Sequence, residues 1–152
     1  MSAVKFPSLN EQMDVIKRGV VEIIPEDELV KKIEKSLKTS KPLNIKLGCD
    51  PSRPDLHIGH SVVIRKLAQF QELGHKAILI IGDFTGMIGD PSGKSSERNA
   101  LDEETLNHYV SCLKGQLSQF LKFDGTESNS AELVNNYDWM KEFSFLEFIR
   151  EV

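Results

Sequence analysis

The chain has 152 residues, of which 39% are hydrophobic and 28% charged, with a formal net charge of −4; that is enough apolar material for one cored domain, and no nucleic-acid surface is readable from charge alone. The longest uninterrupted apolar run, Ala77 to Ile81, is far too short to span a membrane. Two cysteines far apart, Cys49 and Cys112, and no secretory leader pattern predict a reducing, cytoplasmic setting in which both thiols are small core fillers.

In chain order, Leu9 to Ile24 and Pro25 to Thr39 read as two amphipathic helices. Pro25 suits a first helical turn, while Glu26, Asp27 and Glu28 early and Lys31, Lys32, Lys35 and Lys38 late agree with the helix dipole. Leu43 to Leu47 is a short β-type run ending in Gly48. Ser61 to Gly74 reads as a helix, with apolar residues at Val63, Leu67 and Phe70 and a natural stop at Gly74. Lys76 to Gly82 is the clearest strand, a continuous apolar run of the kind buried on both faces of a parallel sheet. Strand, helix and strand in this order predict a βαβ crossover, whose ligands bind beyond the carboxyl ends of the strands.

A helix starts at Asp102-Glu103-Glu104 and carries a core seam of Leu106, Val110, Leu113, Leu117, Phe120 and Leu121. Asp124 to Ser130 is a polar loop, Ala131 to Asn135 a third strand, and Asp138 a cap for a helix through Met140. Phe145 to Val152 is apolar-periodic without a helix stop signal.

Two segments carry chemistry. The first, Asp50-Pro51-Ser52 through Leu56-His57-Ile58-Gly59-His60, follows the first strand and places two histidines at a helix mouth. Orphan N–H groups and the positive helix end attract anions there, and imidazoles donate hydrogen bonds to phosphate oxygens. Gly59 lets a flat base or a ribose come close to the backbone. The plain alternative is that His57 and His60 are ordinary surface or capping residues. No thiol partner or H-x₃-H spacing accompanies them, so a zinc site is disfavoured.

The second segment, Gly86-Met87-Ile88-Gly89-Asp90-Pro91-Ser92-Gly93-Lys94-Ser95, follows the second strand. It is not a P-loop: the motif requires glycine where Ile88 stands, and counting from Gly89 leaves the loop one residue short. Asp90 would repel phosphate and Pro91 lacks an N–H, so the carboxylate better suits a substrate ammonium group. Ser92, Gly93, Lys94, Ser95 and Arg98 form a cationic flap able to meet polyphosphate. A solvated Gly/Pro/Ser turn is the plain alternative for this composition.

Leu56-His57-Ile58-Gly59-His60 resembles the first signature of the class I aminoacyl-tRNA synthetases. Together with Thr85 to Ser95, Arg98 and Asn136-Tyr137-Asp138-Trp139, it is similar to the tyrosyl members of bacterial type. The resemblance implies an α/β, Rossmann-like (HUP-type) nucleotide-binding fold with a parallel sheet, of which only the first half is here. Residues 1–40 are then an N-terminal helical segment and 41–152 the first half of the catalytic domain. It further implies activation of L-tyrosine by ATP with Mg²⁺, transfer to tRNA(Tyr), a homodimer, no tightly bound cofactor and no resident metal.

By the same resemblance, Gly48 and Asp50 border the adenylate, Ser52 and His57 stabilise the leaving phosphates, and Gly59 with His60 contacts ribose and adenine. Asp90 binds the tyrosine ammonium, with Lys46, Gly48 and Thr85 completing the tyrosine pocket, while Lys94 and Arg98 close on pyrophosphate. Lys46 departs from the many members that place a tyrosine there, so phenol recognition is left open. No Lys-Met-Ser-Lys-Ser sequence occurs, and the expectation is an N-terminal piece that is inactive alone. Another class I nucleotidyl transferase and a non-catalytic module with a vestigial site stay open beside this reading.

Overall fold

The structure is a computed structural model that describes residues 5–51, 53–82 and 102–141, with Ser144 and Arg150. Helix α1 (Leu9–Lys17) starts at a reciprocal cap in which Ser8 and Glu11 each bond the other's backbone N–H. It stops well short of the expected Ile24. Arg18 is extended and Gly19 adopts φ 75°, a left-handed conformation that glycine supplies without strain and that ends a helix. Val21 and Ile24 beyond it are exposed, while Ile23 still packs against the cluster around Met13 and Ile16 without being helical.

Helix α2 (Glu26–Thr39) has Pro25 at its N-cap rather than inside its first turn. Strand β1 (Asn44–Cys49) includes Gly48 and runs one residue past it. Helix α3 (Ile58–Glu72) ends where expected, with Gly74 at φ 96° and the N–H of His75 donating to the Phe70 carbonyl at 2.9 Å. Then come β2 (Lys76–Ile81), α4 (Glu103–Leu117), β3 (Glu132–Asn135) and the short α5 (Tyr137–Met140). The α5 cap is Asn136 and not Asp138, which lies inside the first turn.

The strands form one parallel sheet in the order β1-β2-β3, with Gly48 opposite Ile80 and Ile80 opposite Val134. Ala77 and Leu79 are fully buried against Ile64, Leu67 and Ala68 of α3 and Leu113 and Leu117 of α4, and Ile81 is fully buried on the same strand face. The alternate residues Ile78 and Ile80 are only half-buried. Among the described residues β2 is thus buried on one face, where its apolar run had predicted two. The α4 seam is also narrower than expected: Leu106, Leu113, Leu117 and Leu121 are buried, Val110 is partly covered and Phe120 is exposed. The helix ends at Leu117; Leu121, whose N–H still donates to the Leu117 carbonyl at 2.9 Å, keeps to the core, while Phe120 beside it is on the solvent side.

A second core joins α1 and α2 to the far end of α3 through Met13, Ile16, Ile33 and Leu73. Two polar fasteners reinforce it. His75 is fully buried beside Phe6 and Phe70; its Nε2 lies 2.8 Å from Gln12 Oε1, and its Nδ1 accepts the Leu43 N–H at 3.2 Å. An accepting Nδ1 leaves the proton on Nε2, which donates to Gln12. Burial pushes the His75 pKa down to about 4.

The second fastener is Lys66 of α3, whose Nζ donates to the carbonyls of Val15 at 3.2 Å, Ile16 at 3.1 Å and Arg18 at 2.9 Å. These are orphan acceptors at the end of α1, where a cation is also favoured by the dipole. Lys66→Met keeps the aliphatic stem and removes the donors, and is expected to lower stability by about 1–2 kcal/mol. Thermal denaturation checks this; an unchanged melting point would show that water replaces the ammonium without loss.

Candidate active site

The carboxyl end of β1 leads through Asp50 and the buried Pro51 into the mouth of α3. His57 is the α3 N-cap and His60 the third residue of the helix. His57 Nδ1 accepts the Gly59 N–H at 3.1 Å, and His60 Nδ1 accepts the His57 N–H at 3.2 Å. The rings stack with centroids 3.8 Å apart and planes 14° from parallel. This is a capping box built from two imidazoles, a task more often given to serine and glutamate.

The capping reading and the phosphate reading are therefore not rivals. With each Nδ1 occupied as an acceptor, each ring carries its proton on Nε2. Neither Nε2 has a hydrogen-bond partner among the described residues. The first turn of α3 holds no acidic residue, so the positive helix end is not neutralised from within. Two oriented N–H donors at a helix N-terminus without an acidic first turn are an arrangement to which anions are attracted.

Gly59 has a local reason to be glycine that the sequence did not reveal. A Cβ there would lie 3.0 Å from both Cε1 and Nδ1 of His57, so any side chain would push the capping ring aside. A Cβ on Gly48, by contrast, would meet nothing within 4 Å among the described residues. Lys46 and Gly48 lie on the exposed face of β1, and Asp50 is exposed just beyond it.

Cys49, half-buried at the strand end, has its thiol pushed up from the ordinary range by burial and by the neighbouring Asp50 charge. It is a protonated filler and not a nucleophile. Gly48 and Asp50 thus stand at the carboxyl end of β1, Lys46 midway along the same exposed strand face, and His57, Gly59 and His60 at the mouth of α3. Ser52, Thr85, Asp90, Lys94 and Arg98 lie outside the described residues. No group of three or more metal-ligating side chains occurs among the described residues, and none of their helices is long and apolar enough to cross a membrane.

One residue that sequence reasoning missed is Gln116, in the last turn of α4. Its Oε1 accepts the Leu56 N–H at 2.9 Å, and its Nε2 donates to the Pro54 carbonyl at 2.8 Å and the Cys112 carbonyl at 3.2 Å. No motif announces a contact between positions so distant along the chain.

Residues 38–152 match the family described as tRNA synthetases class I (W and Y). The chain belongs to this family. A tyrosine–tRNA ligase of Salinibacter ruber is 52% identical to it over 145 residues, covering 95% of this chain and 34% of the relative. One of Bacteroides fragilis is 60% identical over 106 residues, 70% of this chain and 25% of the relative. The chain thus spans about a third of the length of the curated class I relatives it matches.

Among solved class I structures, a C-terminally truncated mitochondrial tyrosyl-tRNA synthetase from Coccidioides posadasii superposes with a TM-score of 0.61 at 26% identity, covering 94% of this chain and 39% of that one. The corresponding enzyme from Aspergillus nidulans gives 0.64 at 22% identity, covering 95% and 42%. That second likeness speaks for the shared Rossmann-like α/β fold.

Proposed function

We propose that this chain is the amino-terminal part of a tyrosine–tRNA ligase, with residues 1–40 as a helical segment ahead of the ATP-binding half of its catalytic domain. The observation that carries the proposal is the histidine pair, with both Nδ1 atoms tied to backbone and both Nε2–H donors without a partner among the described residues, at a helix mouth. The 52% identity to ligases of that name supports tyrosine as the amino acid.

In this reading a tyrosine carboxylate oxygen attacks the α-phosphorus of ATP, the α–β phosphoanhydride bond breaks, and pyrophosphate leaves. His57, with Ser52, donates to the phosphate oxygens as charge builds on them, which is where preorganised donors lower a barrier most. Gly48 and Asp50 border the adenylate, and Gly59 with His60 meets ribose and adenine. Asp90 pairs with the tyrosine ammonium, Thr85 and Lys46 line the amino-acid pocket, and Lys94 and Arg98 close on pyrophosphate. Mg²⁺ arrives bound to the ATP phosphates.

The 3′-terminal adenosine hydroxyl of tRNA(Tyr) then attacks the tyrosyl carbonyl and AMP departs. A homodimer in the cytoplasm completes the proposal, with the exposed Phe120, Tyr137 and Trp139 as apolar surface for a second copy to cover.

ATP–pyrophosphate exchange by the full-length protein, run against a panel of amino acids, tests the assignment. Tyrosine is expected to support exchange and tryptophan to stay at background. Exchange with tryptophan would move the chain to the other branch of its family, and no exchange with any amino acid would leave a non-catalytic module.

A further inference from the structure

Gln116 holds the approach to His57 by two bonds of opposite sense. A primary amide offers one acceptor and one donor side by side, the same pair that a neighbouring strand presents. Gln116 uses the acceptor on Leu56 N–H at 2.9 Å and the donor on Pro54 C=O at 2.8 Å. The clasped segment therefore gains a backbone-like partner in a loop that has no strand beside it. Leu56 also packs against the main core, and the next residue is the α3 cap.

The anchor for this clasp lies elsewhere in the fold. Leu113 and Leu117 flank Gln116 and are buried against the sheet, so α4 is fixed to the strands independently of the loop. The connection runs from the core through α4 and Gln116 to Pro54 and Leu56, then to His57 and, through the reciprocal cap, to His60. The loop itself offers little alternative: the nitrogens of Pro51 and Pro54 carry no hydrogen to donate.

We propose that Gln116 is a positioning residue for adenylate formation: it sets where the chain enters α3 and so aims the His57 N–H donor at the phosphates and His60 at the ribose and adenine. This rests on the ligase reading above. It makes no contact with substrate, and its effect is expected to pass entirely through the histidines.

The test is a double-mutant cycle in the full-length enzyme, measuring single-turnover tyrosyl-adenylate formation. Gln116→Met keeps the side chain's length and removes both hydrogen bonds to the loop, along with the one to the Cys112 carbonyl within α4; misaligned donors are expected to slow the step by about tenfold to a hundredfold. Tyrosine affinity, measured by equilibrium dialysis, is expected to stay unchanged. Gln116→Glu retains the acceptor for Leu56 and loses the donor for Pro54, giving a smaller decrease, and it carries the test if the Met variant unfolds.

In a His57→Ala background the Gln116 substitutions are expected to have a much smaller further effect, because the phosphate donor they chiefly misalign is already gone and only His60 is left to displace. Full additivity of the two changes, or equal losses of tyrosine affinity and rate, would overturn the positioning role while leaving the ligase assignment intact. Failure of the unmodified enzyme to activate tyrosine would instead remove the reading beneath it.

Discussion

His57→Ala in the full-length enzyme is expected to lower the rate constant of tyrosyl-adenylate formation by about 10²–10³, the usual cost of losing one preorganised donor aimed at developing charge. The same change also deletes a helix cap, since His57 Nδ1 accepts the Gly59 N–H, which typically costs about 1 kcal/mol of stability. His57→Ser separates the two effects. Serine is a good N-cap but is too short to present a donor where the imidazole Nε2 stands. The serine variant is expected to recover most of the melting temperature and none of the rate. Recovery of rate together with stability would mean that His57 serves only to start the helix.

The second large effect is on stability and depends on pH. His75 has an ordinary pKa of 6.5 that burial pushes down to about 4. Its folded-state pKa is depressed, so between these values the unfolded chain binds more protons than the folded one. The neutral ring's contribution is complete above pH 6.5 and is lost as pH falls toward 4. Protonation would place an N–H on Nδ1 against the N–H of Leu43, two donors facing each other. From pH 7 to 4.5 the loss attributable to this residue is expected to be about 2–3 kcal/mol.

Urea titrations of the unmodified protein and of His75→Gln at both pH values measure it. Carboxylates and other histidines act in both proteins, so the difference isolates His75. The glutamine variant is expected to lose less stability on acidification; parallel losses would show that another group is responsible.

Much of the fold was legible because it depends on local pattern. The apolar run at 76–81 became β2, and the 102–104 acidic start became the capped entry to α4, with the Asp102 carboxylate accepting the Thr105 N–H. Leu9 to Ile24 was overextended because its apolar residues keep roughly helical spacing past Gly19, while the glycine's left-handed conformation decides the end. The histidines' place at a helix mouth was visible from their flanking residues. Their reciprocal caps, which select the tautomer, depend on ring orientation and were not.

Neither were the fasteners that act across the chain. Gln12 with His75, Lys66 with the end of α1, and Gln116 with Pro54 and Leu56 each join residues about 50 or more positions apart. Glutamine and lysine on a helix read as solvated surface until the fold supplies their partners.

The His75 fastener sits at the amino ends of β1 and β2, between Leu43 and Lys76, whereas His57 and His60 stand beyond the carboxyl end of β1. Six strand residues at about 3.3 Å each put roughly 20 Å between the two. Substitutions at such a separation with no shared partners combine almost independently. The α1 arm can therefore carry a spectroscopic label, a stabilising substitution or a swapped helix sequence while the histidine end is left undisturbed, which makes it the natural handle for watching or tuning this protein.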